Sequence, residues 1–197
     1  MKLILASNSK SRKKIFDMLG FNYEVVKSKS EEISDKNDFP SYVMDLSKTK
    51  ANSVAEQLFP EKCLIIAADS IIYMGNKKFE KPKNLKEAYE NIKMLSGKVN
   101  HAITGVTIKD LYQNKQISFY DTTDVYFNSI DEDEIKWYIN NDEHILERAG
   151  YSIADGKAAN FVEKIDGNYY NILGMPVTKL CEKLKELNYK LSDFRQN

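Results

Sequence analysis

The sequence predicts an α/β protein built on a mixed sheet, and three observations carry that reading. Strand-like and helix-like segments alternate through the first half of the chain. The central run from Leu64 to Pro82, LIIAADSIIYMGNKKFEKP, opens on consecutive apolar residues, too continuous for a strand with one wet face and suited to a central strand covered on both. The second half adds further strands and the densest glycine region, from Ala149 to Gly174.

In order, residues 2–6, KLILA, read as a short strand. A helix follows from about Lys10 to Leu19, with Ser9 placed to cap it and Gly20 to stop it. Ile15, Phe16 and Leu19 give it an inward face. Its charges are unusual: Lys10, Arg12, Lys13 and Lys14 crowd the first turns, where the helix dipole is already positive. Solvated side chains tolerate that at a small penalty. An anion at the helix N-terminus would resolve it, because free N–H groups, serine hydroxyls and Arg12 would converge there. Lys13 and Lys14 read as solvated in either case.

Phe21 to Val26 reads as a second strand, and Ser28 to Asp38 as a polar loop whose Glu31 and Glu32 are, by themselves, solvent-facing acids. Pro40 opens a helix to about Leu58 with Val43, Leu46, Val54 and Leu58 as its apolar stripe. Lys50 falls on that stripe, where it either buries its stem and snorkels or is aimed at an anion. Lys48 lies off the stripe and reads as solvated.

In the central strand Asp69 and Ser70 interrupt the apolar run before Ile71, Ile72 and Tyr73 resume it. A carboxylate there is costly unless it is paired. Its partner would be a lysine, a metal ion or backbone N–H groups; a strand-end Asp capping a turn is the bland alternative. Perturbed carboxylates cluster at functional sites, which favours the functional reading for Asp69. A Gly75-Asn76 turn then leads to Lys81.

Asn84 is placed to cap a helix through Leu95, with Leu85, Ala88, Ile92 and Leu95 inward and Ser96-Gly97 as its end. Val99 to Ile108 reads as a strand in which Gly105 marks a bulge or a close approach and His101 a satisfied structural histidine. Gln116 to Asn128 alternates cleanly and reads as a long strand. Ser129 and Glu132 have capping-box spacing, so the acidic run Asp131 to Glu134 reads as a helix first turn, not a metal site. Asp155-Gly156 is a turn signal. Pro176 starts a last helix with Val177, Leu180, Leu184 and Leu187 inward, and the polar tail from Ser192 reads as frayed.

The totals bound the class. The chain has 197 residues, enough for one sizeable core, with 29 basic against 29 acidic side chains and no net charge. That argues against a nucleic-acid binder with a basic face. Apolar content of 42% with only 8 Gly and 4 Pro excludes a disordered chain. No apolar run is long enough for a membrane helix, and the charges of MKLILASNSKSRKK follow its apolar stretch instead of preceding it, unlike a signal peptide. Cys63 and Cys181 are far apart and read as reduced core thiols, so a reducing cytoplasm is the default location.

Several of these stretches together resemble the Maf family of nucleotide pyrophosphatases. The resemblance rests on Leu5-Ala6-Ser7-Asn8-Ser9 with Arg12, Lys50-Ala51, Asp69-Ser70 followed by Lys81-Pro82, Ser96-Gly97 before Thr104-Gly105-Val106, Ala149-Gly150, and Gly174-Met175-Pro176. Each motif alone is weak; the ordered set is specific and spans nearly the whole chain. There are departures: Lys10-Ser11-Arg12 keeps one arginine where the family commonly has two, Ser70 replaces a threonine, and Asn100 stands where a histidine is usual.

The resemblance implies an inosine-triphosphate-pyrophosphatase-like fold, a curved mixed sheet flanked by helices in two lobes with a central cleft, as one Maf-like domain over residues 1–197 with no linker. It implies hydrolysis of nucleoside triphosphates, modified or non-preferred ones among them, between the α and β phosphates to give a monophosphate and pyrophosphate. It implies dependence on Mg2+ or Mn2+. The alternative is a regulatory nucleotide-binding protein linked to inhibition of septum formation. On the family pattern Asp69, Lys81 and Lys50 are catalytic, and Ser7, Ser9 and Arg12 bind phosphate. Asp69 and Glu32 face the metal, and Asp155 falls near the position associated with base choice. The partner expected is the nucleotide substrate, with no nucleic acid, no membrane, and a homodimer carried over weakly.

Overall fold

The computed structural model describes residues 1–153 and 157–195. Among the described residues, seven strands form one sheet in the order β2-β1-β3-β5-β6-β7, with β4 paired to β3. They are β1 (Leu3–Leu5), β2 (Glu24–Val25), β3 (Leu64–Met74), β4 (Lys77–Phe79), β5 (Val99–Asp110), β6 (Lys115–Phe127) and β7 (Val162–Asp166). The sheet is mixed: β1 runs parallel to β2 and β3, whereas β3–β4 and β6–β7 are antiparallel. The helices are α1 (Lys10–Met18), α2 (Phe39–Leu58), α3 (Leu85–Leu95), α4 (Glu132–Asn141), the single turn α5 (Tyr169–Ile172) and α6 (Val177–Glu186).

The chain divides into two compact units. The first holds Met1–Ser70, Ile103–Asp121 and the chain from Tyr170 on; the second holds Ile71–Ala102 and Thr122–Tyr169.

In the first unit the period-two alternation of the strands sorts their side chains between two helix layers. Leu3 and Leu5 of β1 and Leu64, Ile66 and Ala68 of β3 pack with Ile15 and Phe16 of α1 and Leu180 and Leu184 of α6. Ile4, Ala6, Ile65 and Ala67 pack on the other side with Ala51 and Val54 of α2. The route explains this. From β1 the chain goes through α1 to β2 on one side, then through α2 to β3 on the other side of β1. Right-handed crossovers in opposite directions put the two helices on opposite faces. The carboxyl ends of β1 and β3 therefore form a switch point, where open α/β sheets bind ligands. Both faces of β3 are covered, as its apolar run predicts.

The second unit is built around α3, whose Ala88, Ile92 and Leu95 are buried and which packs against α4. Tyr138, Tyr151, Phe127 and Phe161 meet edge to face or tilted, with Phe127–Tyr151 at 4.7 Å and Tyr138–Phe161 at 5.0 Å. His101 Nδ1 lies 2.7 Å from Asp124 Oδ1 and its ring stacks on Tyr73, so it is the satisfied structural histidine that the sequence suggested.

Four local expectations are corrected. The second strand is only Glu24–Val25, because the chain before it is committed to bonding the C-terminal segment: Phe21 bridges Arg195 and Asn22 N–H donates to Phe194 O. Leu85 is exposed, not inward: as the first helical residue it lies at the end of the α3 stripe, a turn before the first buried residue, Ala88. Ser129 does not cap α4: the cap residue is Asp131, and Ile130 N–H is taken by Ser96 Oγ at 2.7 Å. Three acids in the first turn supply the charge complement in its place. The tail is docked through Phe194, which closes a 3-10 turn (Leu191–Phe194), is 1% exposed and meets the rings of Phe21 and Tyr189.

No helix among the described residues is long and apolar enough to cross a membrane. Both cysteines are free; Cys63 is buried, Cys181 half-buried, and burial pushes both thiols above their ordinary pKa.

Candidate active site

The site is assembled in the first unit where β1 and the parallel part of β3 end. Beyond the last paired residues of β1 and β3, Leu5 and Ile66, Ala6 N–H still reaches Ile66 O at 2.8 Å. Ser7 then leaves the strand, buried, with its Oγ accepting from Ser9 N–H at 3.2 Å. Ser9 caps α1, its hydroxyl accepting from Arg12 N–H at 3.4 Å. The crowded cations at this N-terminus separate as expected in part: Lys10 and Lys14 are exposed, while Arg12 turns inward.

Three donors of Arg12 are spoken for. Nε donates to Gly174 O at 2.8 Å, Nη1 to Ser7 Oγ at 3.2 Å and Nη2 to Ser70 Oγ at 2.8 Å. A guanidinium has five N–H groups, so two remain to meet an anion. Burial lowers the Arg12 pKa, and the charges of Asp69 and Glu32 raise it; an arginine stays protonated through any such shift. Gly174 makes the fit. Its φ of +94° favours glycine, and a Cβ there would lie 3.3 Å from both Arg12 Nε and Ser70 Oγ.

The alternation along β3 carries through to its polar residues. Asp69 continues the Ile65–Ala67 face toward α2, and Ser70 continues the Ile66–Ala68 face toward α1. The contacts follow. Lys50 of α2 donates to Asp69 Oδ1 at 2.6 Å, and Arg12 of α1 reaches Ser70. Lys50 also pairs with Glu32 Oε1 at 2.8 Å, so two carboxylates from different segments meet one ammonium. Asp69 and Lys50 are buried to about nine-tenths at their side chains (10% and 12% exposed), while Glu32 is 66% exposed. Of the partners open for Asp69 in the sequence, the structure supplies the lysine. Lys50 does not snorkel to water; its head is turned to the two acids.

Placing α2 this close to the sheet requires Gly105. A Cβ there would fall 2.4 Å from the Val43 carbonyl carbon and oxygen, so the glycine marks the close approach its position suggested.

Ser70 Oγ also lies 2.9 Å from Thr104 Oγ1, which donates to Asn171 O at 3.0 Å. Thr104 and the Gly174 carbonyl were not singled out as working parts by sequence reasoning. Both lie in stretches that carry the resemblance, Thr104-Gly105-Val106 and Gly174-Met175-Pro176, and that was the available signal. Lys81 is exposed and belongs to the second unit. Glu31 is exposed, and Asp155 lies outside the described residues.

The hard oxygen donors of Asp69 and Glu32, which already hold a cationic head between them, fit a divalent cation. Among the described residues no three metal-ligating side chains cluster. Two carboxylates are what a Mg2+ site completed by substrate phosphates and water uses.

The family model described as Maf-like protein matches residues 2–187. The chain belongs to the Maf family. Its Maf relatives are similar along their full length. A protein of Fusobacterium nucleatum named dTTP/UTP pyrophosphatase is 37% identical over 190 residues, 96% of this chain and 97% of that one. One of the same name from Thermoanaerobacter sp. is 39% identical over 185 residues, covering 94% and 96%. A third, from Clostridium tetani, is 38% identical over 193 residues, covering 97% and 100%. Among solved structures, the Staphylococcus aureus Ham1 protein is similar at a TM-score of 0.46 and 13% identity over 64% of this chain and 72% of that one, too distant to add to the Maf assignment.

Proposed function

We propose that this chain is a nucleoside triphosphate pyrophosphatase with dTTP and UTP as preferred substrates. The observation that carries the reading is the constellation at the β1 and β3 ends. A thrice-anchored arginine with two open donors stands beside a buried carboxylate held by lysine, in a Maf chain whose relatives bear that activity in their names.

Each residue has a task in this reading. Arg12 and the α1 N-terminus bind the phosphates, with Ser7 holding the guanidinium in place. Fixed cations and N–H groups act where charge develops, which is most of what phosphoryl chemistry needs. Asp69 orients the attacking water, and Lys50 keeps Asp69 and Glu32 aimed at one point. Water adds at phosphorus and its proton passes to solvent, the bridging P–O bond between the α and β phosphates breaks, and pyrophosphate leaves the nucleoside monophosphate. A divalent cation bound by Asp69 and Glu32 supplies further charge neutralisation to the triphosphate. The reading places the protein in the cytoplasm. The regulatory alternative has no observation of its own in its favour.

The test is a panel of canonical and modified triphosphates with and without Mg2+ or Mn2+, followed as monophosphate formed. The expected result is that dTTP and UTP exceed the purine nucleotides by about tenfold or more in kcat/KM, a discrimination worth about 1.4 kcal/mol. Turnover should stop when EDTA removes the cation. Equal use of purines would overturn the base preference, and full turnover in EDTA would overturn the metal.

A further inference from the structure

We infer that Thr104 is a positioning residue for Arg12, acting through a one-way chain of hydroxyls. The direction follows from counting protons. Thr104 has one hydroxyl hydrogen, and it is given to the Asn171 carbonyl at 3.0 Å. The 2.9 Å contact between Thr104 Oγ1 and Ser70 Oγ therefore has Ser70 as donor. With its only hydrogen spent, Ser70 can meet Arg12 Nη2 at 2.8 Å only as an acceptor, which is what a guanidinium requires. The chain runs Arg12 to Ser70 to Thr104 to Asn171 O, and each bond polarises the next. Thr104 is fully buried, so water cannot substitute for its hydroxyl.

Two consequences distinguish this from simple packing. Ser70 has no proton to offer a phosphate oxygen, so its contribution is to hold Arg12 and not to bind substrate directly. Removing the Thr104 hydroxyl releases the Ser70 proton, which then competes for the acceptor role that Arg12 needs. The kinetic part of this proposal rests on the pyrophosphatase reading; the hold on Arg12 does not.

The experiment uses Thr104→Val, which keeps shape and removes the hydroxyl, Thr104→Ser, which restores it, and Ser70→Ala, at an exposed position. The first readout is hydrogen exchange of the Arg12 Nη2–H group that Ser70 accepts, followed by NMR, which needs no turnover. Loss of one link should speed exchange by about tenfold in Thr104→Val and Ser70→Ala, as for one net hydrogen bond, with Thr104→Ser near wild type. The second is pyrophosphate release. Thr104→Val should lower kcat/KM by about tenfold, Thr104→Ser should recover it, and Thr104→Val should add nothing in the Ser70→Ala background. Unchanged Arg12 exchange in a folded Thr104→Val protein would overturn the proposal, as would additive effects of the two substitutions. If no variant or wild type turns over, the pyrophosphatase reading fails while the exchange result still decides the chain of hydroxyls.

Discussion

Asp69→Asn is expected to reduce pyrophosphate release by about a thousandfold while leaving the protein folded. The substitution keeps the shape of a side chain buried on the α2 face of β3 and removes its charge. The neutral amide cannot accept a proton from an attacking water as a carboxylate does, and it is a weaker ligand than a carboxylate for any divalent cation. Breaking a buried ion pair by removing one partner costs about 3–5 kcal/mol when the other charge is stranded. Here Lys50 keeps Glu32 at 2.8 Å, and Glu32 is largely exposed, so Lys50 has both a partner and a path to water. The expected destabilisation is accordingly smaller, about 2 kcal/mol. Pyrophosphate release and urea denaturation of the variant measure the two quantities. Retention of more than a tenth of the activity would remove Asp69 from the chemistry.

Gly105→Ala is expected to cost the most stability of any glycine substitution in the first unit, about 3 kcal/mol or more. The conflict is one of space. The new Cβ would lie 2.4 Å from the Val43 carbonyl and 2.6 Å from Met44 N, and both neighbours are α2 backbone that cannot rotate away. Either β5 or α2 must move, and α2 carries Lys50 less than two turns further on. Gly75→Ala is the matched control. It meets no atom within 4 Å, so it carries only the strain of φ +57°, about 1 kcal/mol. Denaturation midpoints of the two variants should differ accordingly, and Gly105→Ala should lose activity along with stability. Equal midpoints would contradict the close approach.

The parts of the site that were legible in the sequence are those where a local rule is visibly broken. Asp69 interrupts an apolar strand, Arg12 sits at the wrong end of a helix dipole, and Lys50 lies on an apolar stripe. Each breach has a partner in the fold: Asp69 and Lys50 answer one another, and Arg12 is anchored by three acceptors. What stayed hidden are groups that break no rule. The Gly174 carbonyl is a backbone atom 162 residues from Arg12. Thr104 is an ordinary strand residue until its hydroxyl is traced to Asn171. Glu32 looks like a solvated loop acid, and it is largely exposed; only the path of the 28–38 loop brings it to Lys50. The same contrast runs through the fold. Helix periodicity and caps place α1, α2 and α6 closely, because their stop and start residues act locally. The docked tail does not follow from local rules, since its polar composition conceals one buried ring, Phe194, that has a place in the core beside Phe21.

If this site breaks the bond between the α and β phosphates, the identity of the products reveals it. Purified protein would be mixed with dTTP and Mg2+ and followed by phosphorus NMR, with Asp69→Asn as the control. The expected products are dTMP and pyrophosphate in equal amounts, with neither formed by the variant. Accumulation of dTDP and orthophosphate would contradict it and make the protein a terminal phosphatase.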